Sequence, residues 1–191
     1  GMIDTASGVA STVTVKPDGS VLSFGTNFRG QLGRGLPDNG PYPVPALITG
    51  LLAKEVSSGD AYAIVTEPGG TLKAFGRNDN GQLGLGSLDF LPHPTPVSVP
   101  GISGVFATVA GRDSVLALIG EPAPGGTIRA WGGNGFGVLG IGSLFPSLKQ
   151  AVLAENLTVA RPNFSVAEGS ITATSVQIVC GTPGSVIHYT T

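Results

Sequence analysis

The side chains that most often carry out chemistry are few in this sequence and do not cluster along it. It contains two histidines, His93 and His188, and one cysteine, Cys180. His93 lies between prolines and His188 alternates with apolar neighbours, and neither has a partner at the spacing of a metal or catalytic site. The single cysteine excludes an internal disulfide and a multi-cysteine zinc site. Because Cys180 lies in an apolar run, we interpret it as a small core residue.

Other motifs of catalysis and ligand binding are also missing from the sequence. It has no Gly-x-Ser-x-Gly elbow, and its glycine-rich loops lack the Lys-Ser or Lys-Thr of a phosphate-binding loop. Asp79-Asn80-Gly81 resembles the start of a calcium loop, but the later glutamate ligand is absent. We therefore predict that this is not an enzyme and that it has no cofactor and no metal site.

Composition favours a folded, all-β chain. Apolar residues make up 41% of the sequence and charged residues 12%, with a net charge of −2. The lysines and arginines are scattered, so no basic patch for nucleic acid is visible, and no apolar run is long enough to span a membrane. Thr, Val and Ile occur in short alternating runs, which are typical of β-strands.

The N-terminal region gives two alternatives for location. Residues 2–20 have neither the basic start nor the apolar core of a signal peptide. Gly1 before Met2 is interpreted as a residue left by cleavage of a tag. The protein is therefore expected to be cytoplasmic, or else an internal part of a longer exported chain.

One pattern occurs three times along the chain. It reads FGTNFRGQLGRG from Phe24, FGRNDNGQLGLG from Phe75 and WGGNGFGVLGIG from Trp131. A period of this size with recurring glycines is typical of a repeat fold. Each copy combines an alternating strand, a Pro/Gly turn, a second strand, an Asn-Gly loop and a proline-rich connector that ends in a short apolar segment. The recurring structural positions are Phe24, Gly25, Asn27, Gly30, Gly33, Phe75, Gly76, Asn78, Gly81, Gly84, Trp131, Gly132, Asn134, Gly137 and Gly140.

These copies predict a partial β-propeller. About four short strands per copy form one sheet, and a single sheet buries its faces only by stacking radially against similar sheets. We predict an all-β fold of about three four-stranded blades over residues 4–153, with a linker at 154–161. Residues 162–191 are predicted to form a short C-terminal β tail.

The motif resembles the regulator of chromosome condensation repeat family. The resemblance rests on the Asp-Gly turn at 18–19 and on the aromatic-Gly, Asn and GQLG positions within 24–33, 75–84 and 131–140. The third copy departs from it, because Val138 replaces Gln. The resemblance implies a propeller of about seven blades in complete members, which act mostly by binding other proteins. One eukaryotic branch is an exchange factor for a small GTPase, and bacterial relatives include secreted and surface proteins.

The tail at 162–191 has two interpretations. Its Pro-x-Phe-Ser start, Val-x-Ile strand, TPG and Ile-x-Tyr-Thr-Thr resemble the beginning of a chitobiase/β-hexosaminidase C-terminal-type, immunoglobulin-like domain. Alternatively, it is a degenerate fourth blade, because the spacing from Gly169 to Gly184 equals that from Gly111 to Gly126. Both interpretations predict strands near 174–180 and 185–190. The first implies an extracellular or cell-surface protein, and a cytoplasmic location is the alternative.

Three blades leave an open arc, because propellers typically close with four to eight. One hypothesis is a homodimer that closes the ring, with three blades from each copy around a twofold axis. The other is that the chain is a fragment of a longer protein that supplies further blades.

We expect a non-catalytic module that binds another protein or a cell-surface glycan and does not bind nucleic acid. The alternatives are an accessory domain of a carbohydrate-active enzyme and a GTPase exchange-factor-like regulator. Candidate binding residues are those that vary within the constant loop frame, together with large residues of the connectors. The alternative for the connector residues is that they cover the outer blade edges. The candidates are Phe28, Arg29, Tyr42, Asp79, Asn80, Asp89, Phe90, Leu91, Phe136, Leu144 and Phe145.

Overall fold

The computed structural model describes residues 2–120, 126–144, 146–159, 163–164 and 178–179. These residues form three antiparallel four-stranded sheets and one two-stranded sheet. The described part of the chain contains strands and no helix, so it offers no helix that could cross a membrane. The predicted all-β fold with three four-stranded blades is confirmed.

Each four-stranded sheet is one blade, and its strands pair in chain order. Blade 1 consists of β1 (Asp4–Ser7), β2 (Ser11–Val15), β3 (Ser20–Asn27) and β4 (Asp38–Leu52). Blade 2 consists of β5 (Glu55–Ser58), β6 (Tyr62–Thr66), β7 (Leu72–Gly76) and β8 (His93–Ser98). Blade 3 consists of β9 (Val105–Ala110), β10 (Ser114–Ile119), β11 (Gly126–Gly133) and β12 (Ser147–Val159).

Each blade begins one strand earlier than the repeated sequence pattern suggests. The first strands, β1, β5 and β9, precede the glycine that opens each copy, and β5 contacts both of the others. They therefore form the inner side of the arc. The proline-rich connectors contribute to the outermost strands, where proline is tolerated because one strand edge needs no N–H donor. The outermost strand β12 extends to Val159, into the range expected to be a linker.

The hydrophobic core lies between neighbouring blades. Val13 and Val15 of blade 1 pack with Val65 and Phe75 of blade 2. A second cluster joins blades 2 and 3, and it consists of Tyr62, Ile64, Leu72, Ala74, Leu83, Val99, Ile102, Val105, Val115, Ala117 and Trp131. Successive strand residues point to opposite faces, so blade 2, which has a neighbour on each side, contributes to both cores.

The C-terminal part forms a small separate pairing. Strand β13 (Asn163–Phe164) pairs antiparallel with β14 (Ile178–Val179). Strand β14 lies inside the strand predicted near 174–180. The strand predicted near 185–190 lies outside the described residues. Both interpretations of the tail, and the domain boundaries, therefore stay predictions.

Candidate functional site on the loop rim

The loops that carry the repeated motif lie together at one end of the blades. In blade 1 the Thr26 N–H donates to the Ala10 carbonyl, with an N–O distance of 2.8 Å. The Arg77 N–H makes the same bond to Ala61, at 2.9 Å, in blade 2. The turn between the first two strands thus meets the loop between the last two. We call this surface the loop rim, and it comprises residues 8–10, 28–37, 59–61, 77–92, 111–113 and 134–144.

The repeated asparagine closes each rim loop. Asn27 accepts a hydrogen bond from the Leu32 N–H through Oδ1, at 3.2 Å, and donates through Nδ2 to the Leu36 carbonyl, at 3.0 Å. Asn78 and Asn134 make the corresponding two bonds in their own loops. All three side chains are buried. One amide satisfies a buried donor and a buried acceptor at once, so the recurrence of Asn is structural.

A buried glutamine fixes the first two loops further. The Gln31 and Gln82 Oε1 atoms each accept a hydrogen bond from a backbone N–H two residues earlier, at 2.8 Å. Both side chains are fully buried. Val138 has no amide for this bond, and 54% of its surface is exposed. The third loop therefore lacks a contact that the other two share.

Four of the candidate binding residues lie close together on blades 1 and 2. Phe90 and Leu91 are 78% and 73% exposed, and Phe28 is also exposed. The Arg29 guanidinium reaches from the first loop to the Phe90 carbonyl, at 3.4 Å. The structure therefore brings the first loop and the second connector together, although they are distant in sequence.

Other candidates lie apart from this group. Tyr42 is on β4, where its hydroxyl donates to Asp38 and the Arg34 guanidinium lies 4.8 Å from its ring centre. Phe136 is 95% exposed and lies with the exposed Leu144 on the third loop. Phe145 lies outside the described residues. The role of each in binding stays a prediction.

Asp79 and Asn80 are held inside a polar network. Asp79 Oδ2 accepts from the Arg77 Nε, at 2.7 Å, and its Oδ1 accepts from Asn80 and Gln82. Only a small part of the Asp79 side chain reaches solvent. Its two oxygens are thus engaged in holding the loop, whereas Phe90 and Leu91 are free to contact another molecule.

Sequence reasoning missed the charged cluster at the junction of blades 2 and 3. Arg77 Nη1 lies 3.0 Å from Asp60 and 3.2 Å from Asp113 Oδ1, in addition to its contact with Asp79. Burial alone would lower the pKa of Arg77, but the three carboxylates outweigh it and the net shift is upward. Position 77 also differs between the copies, which have Thr26 and Gly133 at the corresponding positions. The rule that residues varying within the constant loop frame are binding candidates therefore selects Arg77 as well.

Asp89 anchors the second connector to its loop. Asn78 Nδ2 donates to Asp89 Oδ2, at 2.9 Å, and His93 Nε2 lies 2.9 Å from Asp89 Oδ1. Partial burial raises the pKa of Asp89, but the hydrogen bonds from Asn78 and His93 outweigh this effect and the net pKa lies below its usual range. The exposed Phe90 and Leu91 follow directly, so this anchor fixes where they stand.

We expect the stability of the protein to depend on Asp89 in acid. Because the folded-state pKa of Asp89 is lowered, its contribution is complete above the unfolded pKa of about 4 and is lost as the pH falls through the folded value. Thermal unfolding from near-neutral pH to about pH 3 should therefore show a smaller acid-induced fall in Tm for Asp89→Asn than for the wild type. Glu67→Gln, in an exposed turn, is the control and should follow the wild type. Equal falls in Asp89→Asn and wild type would contradict the anchor.

Within the described ranges, no three side chains of His, Cys, Asp or Glu are placed so that they could hold a metal ion. The described part of the rim combines large exposed apolar groups, paired charges and loops that are held by buried amides.

The fold is similar to solved propeller structures. Human WBSCR16 superposes with a TM-score of 0.68 and 19% identity, covering 80% of this chain and 37% of WBSCR16. Prp20p from Saccharomyces cerevisiae superposes with a TM-score of 0.67 and 19% identity, covering 80% of this chain and 38% of Prp20p. At this identity the likeness supports the fold alone.

Two curated proteins are similar in sequence. Probable E3 ubiquitin-protein ligase HERC6 of Homo sapiens is 32% identical over 150 residues, which are 76% of this chain and 14% of HERC6. Ultraviolet-B receptor UVR8 of Arabidopsis thaliana is 30% identical over 144 residues, which are 74% of this chain and 32% of UVR8. The chain thus spans a third or less of these relatives.

The sequence pattern of one family matches the chain directly. The family described as "Regulator of chromosome condensation (RCC1) repeat" matches residues 18–65 and 70–118, which together make up half of the chain. The match includes the first two copies of the loop motif, and the third copy shares its aromatic, Asn and Gly positions. The chain belongs to the RCC1 repeat family.

Proposed function

We propose that this chain is a non-catalytic module that binds a segment of another protein on its loop rim. The observation that carries the proposal is the exposure of Phe90 and Leu91 on a connector that is held in place by Asp89. Large apolar side chains that are clustered and exposed often mark an interaction site. Aromatic anchors of this kind supply much of the binding energy in protein interfaces.

The firm attachment of the connector favours binding. Asn78 donates to Asp89 and to the Ser87 carbonyl, and it also accepts from the buried Leu83 N–H. The connector is therefore tied to the loop at several points. A surface that is already ordered loses less conformational entropy when a partner binds.

The charged cluster indicates the chemistry of the partner. Arg77 is surrounded by Asp60, Asp79 and Asp113, and the exposed Arg112 lies 3.6 Å from Asp113. The three carboxylates and two guanidinium groups of this cluster leave one net negative charge. Asn78 and Asp89 connect this cluster to Phe90 and Leu91. A partner segment with apolar and basic side chains would complement both parts.

Relatives support binding of proteins as a class. The structure of Prp20p was described together with its binding properties to Gsp1p and histones, and yeast RCC1 (Prp20) was solved with Kap60 bound. HERC6 is a probable ubiquitin ligase, and this chain spans a small part of it. The relatives therefore do not decide whether this chain is catalytic, and we propose that it is not. A cell-surface location and a glycan ligand are separate proposals, and both rest on the resemblance of the tail.

The test uses a displayed library of random peptides, panned against the wild-type protein. Peptides enriched in apolar and basic residues should bind, and the double variant Phe90→Ser with Leu91→Ser should weaken them more than tenfold, or about 1.4 kcal/mol. Both positions are solvent-exposed, so we expect the urea unfolding midpoint to stay close to that of the wild type.

Val44→Ser is the matched control, because Val44 is an exposed apolar residue on the outer strand β4. Peptide affinity should not change in this variant. If the selected peptides bind the double variant as tightly as the wild type, the rim site assigned to Phe90 and Leu91 is wrong. Selection of peptides without basic residues would remove the charged cluster from the proposal.

A further inference from the structure

Each internal junction between blades is built from the same two contacts. We call the side of a blade that meets the next blade its trailing face and the opposite side its leading face. At both junctions the loop glycine of one blade lies against the aromatic residue of the next. A Cβ at Gly33 would lie 3.0 Å from the Phe75 ring, and a Cβ at Gly84 would lie 2.9 Å from Trp131 Nε1.

The second contact joins the loop to the outermost strand of the next blade. A Cβ at Gly30 would lie 2.6 Å from Pro94 Cα on β8, and the Gly35 N–H donates to the Pro94 carbonyl, at 2.8 Å. At the next junction, a Cβ at Gly81 would lie 3.1 Å from Lys149 Cα on β12. Both contacts need glycine because the two backbones approach so closely.

The trailing face of blade 3 carries the same parts but nothing covers them in the described residues. Gly140 is exposed and Gly137 is partly exposed, whereas the corresponding Gly33, Gly84, Gly30 and Gly81 are buried. Phe136 and Val138 stand beside them in solvent. Ala130 and Leu139 form a small buried core on this face. The residues packed against it are only partly buried, and they include Leu116, Ile128 and Leu148.

The leading face of blade 1 carries the complementary parts. Phe24 occupies the position of Phe75 and Trp131, yet it is partly exposed while they are fully buried. Gly25 pairs with Tyr42 as Gly76 pairs with His93, so Pro43 is in register with Pro94. Pro43 is exposed. An aromatic ring and an outer-strand backbone are thus presented as at the internal junctions, with a proline as in blade 2, whereas Lys149 stands at this position in blade 3.

The hydroxyls on the inner strands of blade 1 are paired with one another. The hydroxyls of Thr5 and Thr14 are hydrogen-bonded to each other, at 2.8 Å, as are those of Ser7 and Thr12, at 2.7 Å. The Thr5 N–H is already bonded to Asp4 Oδ1, at 2.8 Å. Such pairing lowers the cost of burying the face, because each of these hydroxyls has a hydrogen-bond partner within the sheet.

We propose that two copies of this chain associate head to tail, with the trailing face of blade 3 of each copy on the leading face of blade 1 of the other. Phe24 of the second copy takes the place against Gly140 that Phe75 takes against Gly33. Pro43 takes the place of Pro94. The second copy is the occupant because the two free faces of one chain are the two halves of one junction. Two such junctions close a ring of six blades around a twofold axis, within the usual range for propellers.

The first test is the mass of the 191-residue chain in solution. Size-exclusion chromatography with light scattering should show twice 19.1 kDa at high concentration, with dissociation on dilution. A monomer at every concentration up to near-millimolar would overturn the proposal. Larger, open-ended species would overturn the closed ring.

The second test distinguishes head-to-tail association from other contacts. Phe24→Arg places a charge on the leading face, and Val138→Arg places one on the trailing face, so each variant alone should be monomeric. Mixed together, they retain one intact junction and should form a heterodimer that neither forms alone. Leu36→Arg, at an exposed position away from both free faces, is the control and should dimerise like the wild type.

Thermal unfolding of each variant verifies that it is folded. If Phe24→Arg does not fold, Phe24→Ser takes its place in the mixture. A mixture that stays monomeric, although both variants are folded, would overturn the head-to-tail arrangement, and so would dimers in either variant alone at the wild-type affinity. These outcomes do not depend on peptide binding, because Phe90 and Leu91 lie outside both faces.

Discussion

Trp131→Ala is expected to destabilise the protein by about 3–5 kcal/mol, as is typical when a fully buried tryptophan is truncated to alanine. Trp131 has no solvent exposure and belongs to the core between blades 2 and 3. Its indole Nε1 also donates to the Gln82 carbonyl of the preceding blade, at 3.0 Å. Removal of the ring therefore leaves a cavity at the junction and an unpaired carbonyl in the second loop.

Trp131→Phe separates these two effects. Phenylalanine stands at the corresponding positions 24 and 75, so the junction accommodates a ring of this type. This variant keeps most of the packing but loses the N–H donor, and we expect a loss of about 1–3 kcal/mol from the unpaired carbonyl and the smaller ring. Urea unfolding followed by far-UV circular dichroism gives both values. Fluorescence is unsuitable, because Trp131 is the sole tryptophan.

An unchanged urea midpoint in Trp131→Ala would mean that blades 2 and 3 do not depend on this junction. The ratio of the two losses is also informative. If Trp131→Phe lost as much as Trp131→Ala, the hydrogen bond to Gln82 rather than the packing of the ring would hold the blades together.

The sequence was sufficient to predict the repeated frame because its parts are local. The turns and the Asn that closes each loop make their contacts within about ten residues along the chain, as Asn78 does with Leu83 and Ser87, and the aromatic of each third strand recurs at a fixed spacing from the turn glycine. The spacing of residues within one repeat is therefore enough to predict these contacts. The three blades followed from three copies of one pattern.

The first strand of each blade was missed because nothing local identifies it. Strand β5 is only Glu-Val-Ser-Ser, too short for its alternation to be recognised. Its place is set by contacts between blades: Val56 donates its N–H to Asp4 Oδ2, at 2.7 Å, and Glu55 accepts from the Thr108 N–H. These partners are more than fifty residues apart in sequence.

The candidate site also has a part that could be predicted from the sequence and a part that could not. The exposure of Phe90 and Leu91 could be predicted, because large apolar residues in a proline-rich connector have no strand periodicity to bury them. The cluster around Arg77 depends on the approach of blade 3, which brings Asp113 to a residue 36 positions away. No spacing within one repeat encodes that contact.

Gly76→Ala is the second change for which we expect a large effect. Gly76 has a φ of 105°, which side chains rarely adopt, and a Cβ there would collide with the Ala61 carbonyl oxygen and lie 2.7 Å from Tyr62 Cα. Gly25 and Gly132 have the same surroundings in their own blades. The glycine after each aromatic thus lets the third strand approach the turn between the first two. We expect a loss of about 3 kcal/mol or more from backbone strain and the clash together.

Two further glycines provide matched controls for the strain and for the substitution itself. Gly50 has a φ of 75° with nothing within 4 Å of its Cβ position, so Gly50→Ala should cost only the strain of the left-handed backbone, about 1–2 kcal/mol. Gly69 has open space and no positive φ, so Gly69→Ala should be neutral or slightly stabilising.

Urea unfolding of the three variants should rank their losses as Gly76→Ala, then Gly50→Ala, then Gly69→Ala. The difference between the first two measures the close approach, because both share a positive φ and only one has a neighbour. If Gly76→Ala lost no more than Gly50→Ala, the repeated glycine would serve backbone conformation alone. The larger loss would show instead that aromatic-Gly recurs because one residue packs between blades and the next admits the backbone of the turn.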